Sequence, residues 1–425
     1  MTRRVLWGLA VVLLLAMGVF AVRVWMTLRP APLDAGPEPV ATPALVERGR
    51  LLASAGNCMA CHTARAGAPW AGGHAVQTRF GAIVSSNLTP HTSGLGDWTA
   101  AQFHRALHQG QSHDGRLLYP AFPYLHTTRL PRSDTDALFV YLRTLPPVDR
   151  PREPHHLRFP YDQPLALAAW RALFFQPAEP VPEPSAADPV AQGAWWVQGV
   201  AHCAACHRAP GPLESPGQAL GGGLMPDGHW WAPSLRDPKE AGVQDWSVDD
   251  VLALLRDGRN GHASAAGPMA EVVRDGTQHL PEAQLLAMAS YLRALPRETT
   301  PREDKPAEPS VLQAGALLYK DRCAQCHGSN GEGTWAEGAS LNGPWAWPPL
   351  AGNRVVTQAA PVNLVRWVLD GGFGASTSAH PQPWGMPPFR SLLSDAEVAA
   401  VASYVRQAWG NQAGGVSALE VQRLR

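Results

Sequence analysis

Residues 58–62 read CMACH, and the same C-x-x-C-H pattern returns at residues 203–207 (CAACH) and 323–327 (CAQCH). On a helical turn, side chains three residues apart share a face, so the two thiols of each copy can reach both vinyl groups of one porphyrin. The adjacent histidine then lies below the iron as an axial ligand. The sequence therefore predicts three covalent haems, with these attachment thiols and iron ligands: Cys58, Cys61, Cys203, Cys206, Cys323 and Cys326; His62, His207 and His327.

The motifs use all six cysteines of the chain, and other interpretations of these cysteines can be compared. A zinc site needs a second pair of ligands near each copy, and the sequence places none there. A thiol redox pair does not require the following histidine. An exported chain would ordinarily form disulfides from unpatterned cysteines. Because every cysteine belongs to the same repeated pattern, haem attachment is the favoured interpretation.

The motifs lie in longer repeats, which predict three tandem domains. Each motif follows one helical pattern and precedes two more, and Pro-rich stretches separate the copies. The predicted domains span residues 44–150, 186–298 and 309–411, and residues 151–185 form a linker with a short apolar helix. The predicted fold class is all-α, with three tandem class I cytochrome c domains behind an N-terminal membrane anchor.

The last helix of each repeat carries a shared Tyr-x-Arg, at Tyr141, Tyr291 and Tyr404. In the first and third copies, a serine precedes an acidic residue by three positions, in SDTD (133–136) and SDAE (394–397). This spacing is typical of a helix N-cap with a reciprocal capping partner. We therefore expect both helices to begin at these serines.

The N-terminus predicts a membrane segment. Residues 5–22 are uncharged and apolar, and two arginines precede them. Such a stretch is either a short membrane anchor or a long signal-peptide core. We expect an uncleaved anchor within residues 1–28, which places the rest of the chain on the periplasmic side of the inner membrane. The shorter apolar stretch PLALAAWRALFF (164–175) is expected to pack between domains, with contact to a partner or to lipid as the alternative.

Methionines are the candidates for the second axial ligands, because methionine opposite histidine raises the potential of an electron-transfer haem. In the third domain Met386 lies 63 residues after Cys323. In the second domain Met269 lies at nearly the same offset, 66 residues after Cys203, whereas Met288 has the spacing of a core residue. We predict Met269 and Met386 as distal ligands, with a core side chain as the alternative for Met269.

The same offset in the first domain falls within YPAFPYLH (119–126), which holds no methionine. Phe122 takes the ligand position and cannot bind iron, whereas His126 lies four residues further along. We predict His126 as the distal ligand of the first haem, with a five-coordinate haem or an unexpected methionine as alternatives. The nearby His104, His108 and His113 are expected to be ordinary core or surface residues.

Several longer runs are more specific than the haem motifs: GNCMACHTA, GAIVSSNLTP, DGRLLYPAFPY, WWAPSLRDP, GPMAEVV and WGMPPF. With these runs, residues 44–411 resemble the membrane-bound three-haem cytochrome c subunits of bacterial dehydrogenases. The resemblance implies that Met269 and Met386 bind iron. The motif AFPY (121–124), with a histidine shortly after it, resembles the cytochrome subunits of the molybdenum-containing dehydrogenases. The cytochrome subunits of the alcohol dehydrogenases have methionine at the position of Phe122.

The resemblance also implies a function. Such a cytochrome takes electrons from a separate catalytic dehydrogenase subunit of molybdenum, quinoprotein or flavin type, and passes them to ubiquinone or to a terminal oxidase or cytochrome. Two other functions are compatible with the sequence: a peroxidase-type haem enzyme with a five-coordinate first haem, and a freestanding exported carrier. The chain has 35 basic and 35 acidic residues, so its charge predicts no nucleic-acid partner.

Overall fold

The computed structural model describes residues 2–34, 36–209, 211, 213, 215, 217–299, 302, 304–335, 345–382 and 385–425. The chain divides into two compact units. The first consists of Met1–Glu183 with Gln198–His202, and the second of Pro184–Val197 with Cys203–Arg425.

The first unit holds the N-terminal apolar helix and the first haem motif. Its helices are α1 (Thr2–Leu28), α2 (Pro43–Ala55), α3 (Cys58–Cys61), α4 (Ala100–Gln109), α5 (Tyr124–Thr127), α6 (Arg132–Arg143) and α7 (Pro164–Phe174). An antiparallel sheet is formed by β1 (Ala75–Thr78), β2 (Gly81–Val84) and β3 (His156–Leu157).

The second unit holds the other two haem motifs. Its first helix is α8 (Pro189–Gln198). The last residue of this helix, Gln198, begins the short segment that belongs to the first unit. The remaining helices are α9 (Val248–Asp257), α10 (Pro268–Asp275), α11 (Glu282–Ala294), α12 (Pro309–Arg322), α13 (Ala324–His327), α14 (Arg354–Thr357), α15 (Val362–Asp370), α16 (Asp395–Gln407) and α17 (Ala418–Leu424), with 3-10 turns at Cys203–Ala205 and Thr277–His279.

Short antiparallel strand pairs connect the helices of the second unit. They are β4 (Gly223–Leu224) with β5 (Trp231–Ala232), β6 (Thr334–Trp335) with β7 (Trp345–Trp347), and β8 (Gly372–Phe373) with β9 (Gly385–Met386). Helices form the cores, as the predicted all-α class requires, whereas these small pairs and the first unit's sheet were absent from the prediction. The strands are too short to build a sheet core and serve to fix loops.

In each repeat, the helix before the haem motif crosses the last helix of the repeat at a glycine. A Cβ on Gly49, Gly193 or Gly315 would overlap the backbone carbonyl of Ala137, Ala287 or Ala400, respectively. The same added atom would press on the Cβ of Tyr141, Tyr291 or Tyr404. The shared Tyr-x-Arg therefore marks the contact point of the two helices, where only glycine permits so close an approach.

The two predicted serine caps have different outcomes. Ser394 accepts from the backbone N–H of Glu397, and the Glu397 side chain returns the bond, so the capping box of α16 is confirmed. The prediction for Ser133 is wrong, because Pro131 is the N-cap of α6 and the helix begins at Arg132. Proline fixes φ near the helical value and disfavours a helical residue before it, so the helix starts directly after this proline.

The apolar stretch of the linker forms α7, and its partner is the first unit. Leu167 and Ala168 make a small core with Val24 of α1 and with Leu117. Arg171, the single charged residue of this helix, is buried and donates to backbone carbonyls at the end of α4. The expectation that this stretch packs between domains is therefore corrected: it packs within the first unit.

Candidate haem sites

The histidine of each C-x-x-C-H motif is held by the same contact. Nδ1 of His62 donates to the carbonyl of Ser86 at 2.7 Å, and Nδ1 of His207 donates to that of Pro233 at 2.7 Å. Nδ1 of His327 donates to the third acceptor, a proline carbonyl, at 3.0 Å. A carbonyl can only accept, so the proton is on Nδ1 and the lone pair is on Nε2. Metal-binding histidines are commonly oriented in this way.

Burial keeps these imidazoles neutral. It lowers the pKa of His62, His207 and His327, and the bond to the backbone carbonyl opposes that shift only in part. A neutral imidazole presents an available nitrogen to a metal, whereas the protonated form does not. The three motifs are thus alike in tautomer and in charge.

The six cysteines are thiols in this structure, all within the described residues. Burial, followed by the neighbouring thiol, raises the pKa of Cys58 and of Cys203 to about 12, and that of Cys323 to about 11. Redox-active cysteines have lowered pKa values that favour the thiolate. These thiols have the opposite shift, which disfavours a thiol redox function and suits thiols set aside for covalent attachment.

A cavity lined mainly by the third domain brings three predicted haem-binding residues together. Cys323, His327 and Met386 all line it. The remaining wall is mainly apolar and comes largely from α15 and α16, with Leu364, Trp367, Val368, Val401, Ala402 and Val405. A thiol, an imidazole with its Nε2 available, a thioether and apolar walls fit a thioether-linked haem with histidine and methionine ligands. Met386 is positioned by β9, in which it pairs with Gly372.

Met269 lies in the first turn of α10, directly after Pro268. Its side chain is half-buried and packs against a buried apolar cluster of Ala265, Ala270, Val273 and Ala375, the last of which belongs to the third domain. The structure therefore places Met269 on an apolar surface shared by the second and third domains. Its role as the second distal ligand stays a prediction.

The first domain has a different arrangement at the equivalent loop. Phe122 is half-buried beside Tyr124, with 6.5 Å between ring centroids. His126 lies in the short helix α5, and its Nδ1 is 3.3 Å from the carbonyl oxygen of Gln198. This carbonyl contact resembles those of the motif histidines and leaves Nε2 as the unprotonated nitrogen. Iron binding by His126 stays a prediction.

The other first-domain histidines have structural contacts. His104 is buried with Nδ1 2.9 Å from Thr135 Oγ1, and its pKa falls to about 4, first through burial and then through the charges of neighbouring His108 and Arg132. Nδ1 of His108 donates to the Thr128 carbonyl at 2.6 Å. The ring of His113 contacts that of Trp98 in a tilted arrangement, with 4.9 Å between centroids. Each of these three histidines therefore has a contact with the protein itself, as expected for ordinary core or surface residues.

The backbone carbonyls that accept hydrogen bonds from the motif histidines were not predicted from the sequence. They lie 24, 26 and 21 residues after their histidines. The acceptors in the second and third domains are both proline carbonyls, and in all three repeats a leucine follows the acceptor by two positions, which is the signal that an aligned repeat could have shown.

Oriented, neutral histidines beside paired thiols define a protein that binds haem through thioether bonds. The cytochrome c family profile matches residues 46–146, 196–296 and 312–409. The chain therefore belongs to the cytochrome c family, and covalently bound haem c is its cofactor.

Individual relatives are similar over most of the chain. The cytochrome c subunit of the quinone alcohol dehydrogenase of Gluconobacter oxydans is 36% identical, covering 90% of this chain and 82% of the relative. The gluconate 2-dehydrogenase cytochrome c subunit of Pantoea cypripedii is 34% identical, covering 91% and 90%. The fructose dehydrogenase cytochrome subunit of Gluconobacter japonicus is 33% identical, covering 94% and 86%. The resemblance to dehydrogenase cytochrome subunits is thus confirmed.

Proposed function

We propose that this chain is the tri-haem electron-transfer subunit of a membrane-bound dehydrogenase. The observation that carries the proposal is the third-domain cavity, where Cys323, His327 and Met386 meet between apolar walls. Methionine opposite histidine and exclusion of water both raise a haem potential, which suits a carrier of electrons. The relatives named above as cytochrome c subunits of dehydrogenases support a catalytic dehydrogenase partner.

The proposal includes three haems, one for each repeat. The repeats correspond to domains at residues 44–150, 186–298 and 309–411, and the matched stretches of the family fall inside them. Each haem is held by its pair of cysteines and by the following histidine. Met269 and Met386 are the distal ligands of the second and third haems, and His126 is that of the first.

When bound, haem supplies a one-electron couple at its iron. The protein's own residues orient the iron ligands and surround the haem. The backbone carbonyls of Ser86, Pro233 and Pro348 hold the proton on Nδ1 of the motif histidines, so that Nε2 is the nitrogen that would bind the iron. The apolar walls of the third cavity would limit contact of the third haem with water.

The location we propose is the periplasmic face of the inner membrane. Residues Arg3–Leu28 form a helix that is long and apolar enough to cross a membrane, and basic residues precede its apolar part. Next to it, α7 turns Leu165 and Leu173 outward, and their exposed fractions are 63% and 56%. From this position the electrons pass to ubiquinone or to a terminal oxidase or cytochrome.

The experiment that tests the function is purification of the native complex from membranes. The chain should co-purify with a catalytic subunit, its haems should be reduced when that subunit's substrate is added, and mass spectrometry should find three added porphyrins. The isolated chain should show little substrate oxidation. Comparable oxidation by the cytochrome alone, or fewer than three haems after full maturation, would contradict the proposal.

A further inference from the structure

The second domain supplies one wall of the third-domain cavity. Residues 258–266, which follow α9, contribute Gly258, Arg259, Ser264, Ala265 and Ala266 to the lining that also holds Cys323, His327 and Met386. Both domains belong to the same compact unit. A haem in this cavity would therefore touch two domains.

Residues 258–266 form a compact turn that fixes this wall. The backbone N–H of Ala265 donates to the carbonyl of Gly258 at 2.7 Å, and that of Asn260 donates to Ala263 at 3.0 Å. The Asn260 side chain also donates to the carbonyl of Asp250 in α9 at 2.8 Å. These bonds hold Arg259 at the cavity independently of the third domain.

The charged side chains of the cavity are concentrated at this wall. Among the described residues that line it, Arg259 is the single lysine or arginine, and Asp257 and His380 are the other ionisable groups besides the cysteine and histidine of the haem motif. Arg256 is paired with two carboxylates, at 3.0 Å from Nη2 to Asp257 and 3.6 Å from Nη1 to Glu282, so Arg259 is the cation of this group that lines the cavity. His380 lines the same cavity as Arg259, and burial, then the charge of Arg259, lowers its pKa.

A cation at the edge of an otherwise apolar haem cavity matches one part of haem, its two propionate carboxylates. A guanidinium binds a carboxylate through two parallel hydrogen bonds, and such a pair is stronger when water is excluded. We propose that Arg259, assisted by His380, binds the propionate edge of the third haem, so that one domain holds a haem attached to the next. This inference rests on the proposed third haem.

The arrangement also connects two haems. Ala266 lines the third cavity, and Met269, the predicted ligand of the second haem, follows three residues later and packs on Ala375, another lining residue. The segment that binds one haem thus carries the ligand of the other. Arg259 is a positioning residue that sets the potential of the third haem and is not itself an electron carrier.

The test compares Arg259→Gln and Arg259→Lys in the full-length, haem-loaded chain. Loss of a nearby positive charge favours ferric iron, so Arg259→Gln should lower the reduction equilibrium constant of one haem by about tenfold, or about 59 mV for a one-electron couple. Arg259→Lys keeps the charge and should recover most of this loss. Arg256→Gln is the matched control, because Arg256 is exposed at the same helix end and should leave every potential within about threefold, or about 28 mV.

Resonance Raman spectroscopy provides a second readout if Arg259→Gln loses haem. The propionate bending band of one haem should shift in Arg259→Lys and stay unchanged in Arg256→Gln. Adding Met386→Ala makes the third haem high spin and assigns the shifted transition. Unchanged potentials and Raman bands in both Arg259 variants would overturn the proposal. If Met386→Ala leaves every haem low spin, the proposed third site itself has failed, and this outcome is distinct from a negative result at Arg259.

Discussion

The ring of His202 donates from Nε2 to the backbone carbonyl of Gly56 at 3.0 Å. Both residues belong to the first unit. Gly56 lies two residues before Cys58, and His202 directly precedes Cys203 in the sequence. One hydrogen bond therefore joins the chain entering the first haem motif to the chain entering the second.

Replacing His202 with phenylalanine should destabilise the first unit. An aromatic ring is kept, but the part-buried Gly56 carbonyl loses its donor, which costs about 1 kcal/mol. Denaturant unfolding followed by haem absorbance measures this change in the free energy of unfolding. His113→Phe is the control, because His113 is exposed and its replacement should change stability by no more than about 0.5 kcal/mol. Equal effects of the two substitutions would show that the bond contributes nothing.

Replacing His126 with alanine should convert one haem to high spin. The prediction follows from Phe122, which stands at the methionine position and cannot bind iron, and from the carbonyl contact at Nδ1 of His126. The near-infrared iron–sulfur bands of the other two haems should persist. His108→Ala is the matched control, since its Nδ1 bonds the Thr128 carbonyl as a framework contact. An unchanged spectrum in His126→Ala would leave this histidine as an ordinary loop residue.

Replacing Met386 with leucine should remove one iron–sulfur band and lower the potential of the third haem, because the thioether ligand is lost while the apolar volume is kept. Absorbance in the near infrared and a redox titration measure both effects. Met288→Leu is the control: Met288 is fully buried in α11, so the change should cost less than about 1.5 kcal/mol and leave every band in place. Retention of all bands in Met386→Leu would identify another distal ligand.

Removing residues 2–22 behind a cleavable signal should release a haem-loaded protein from the membrane fraction, because most of the apolar helix that could span the bilayer is gone while Val24 stays in the core. Fractionation after lysis measures the distribution. If the truncated protein stays with membranes in the absence of its partner, a further Leu165→Gln and Leu173→Gln double substitution tests the outward face of α7. Release by that double variant would identify α7 as a second anchor.

Sequence reasoning succeeded where the signal is local. The family indicated by the C-x-x-C-H motifs, the helix contact at the Tyr-x-Arg and the Ser394 cap all depend on residues that are close in sequence. Ser133 failed because Pro131, two residues earlier, starts the helix instead. Arg259 was not predicted because its significance depends on packing of residues 258–266 against a cavity in the next domain, and no local spacing encodes that contact.

The glycine crossings have a consequence for how such chains can be altered. Because Gly49, Gly193 and Gly315 bring backbone against backbone, the separation of the crossed helices does not depend on the side chains that face the cofactor. Scaffold and ligand loop are therefore separable modules. If His126 is the distal ligand of the first haem, the loop exchanges methionine for histidine without a change in the crossing. Transferring the ligand loop of one repeat into another repeat of the same chain is therefore a practical way to change the reduction potential of a haem.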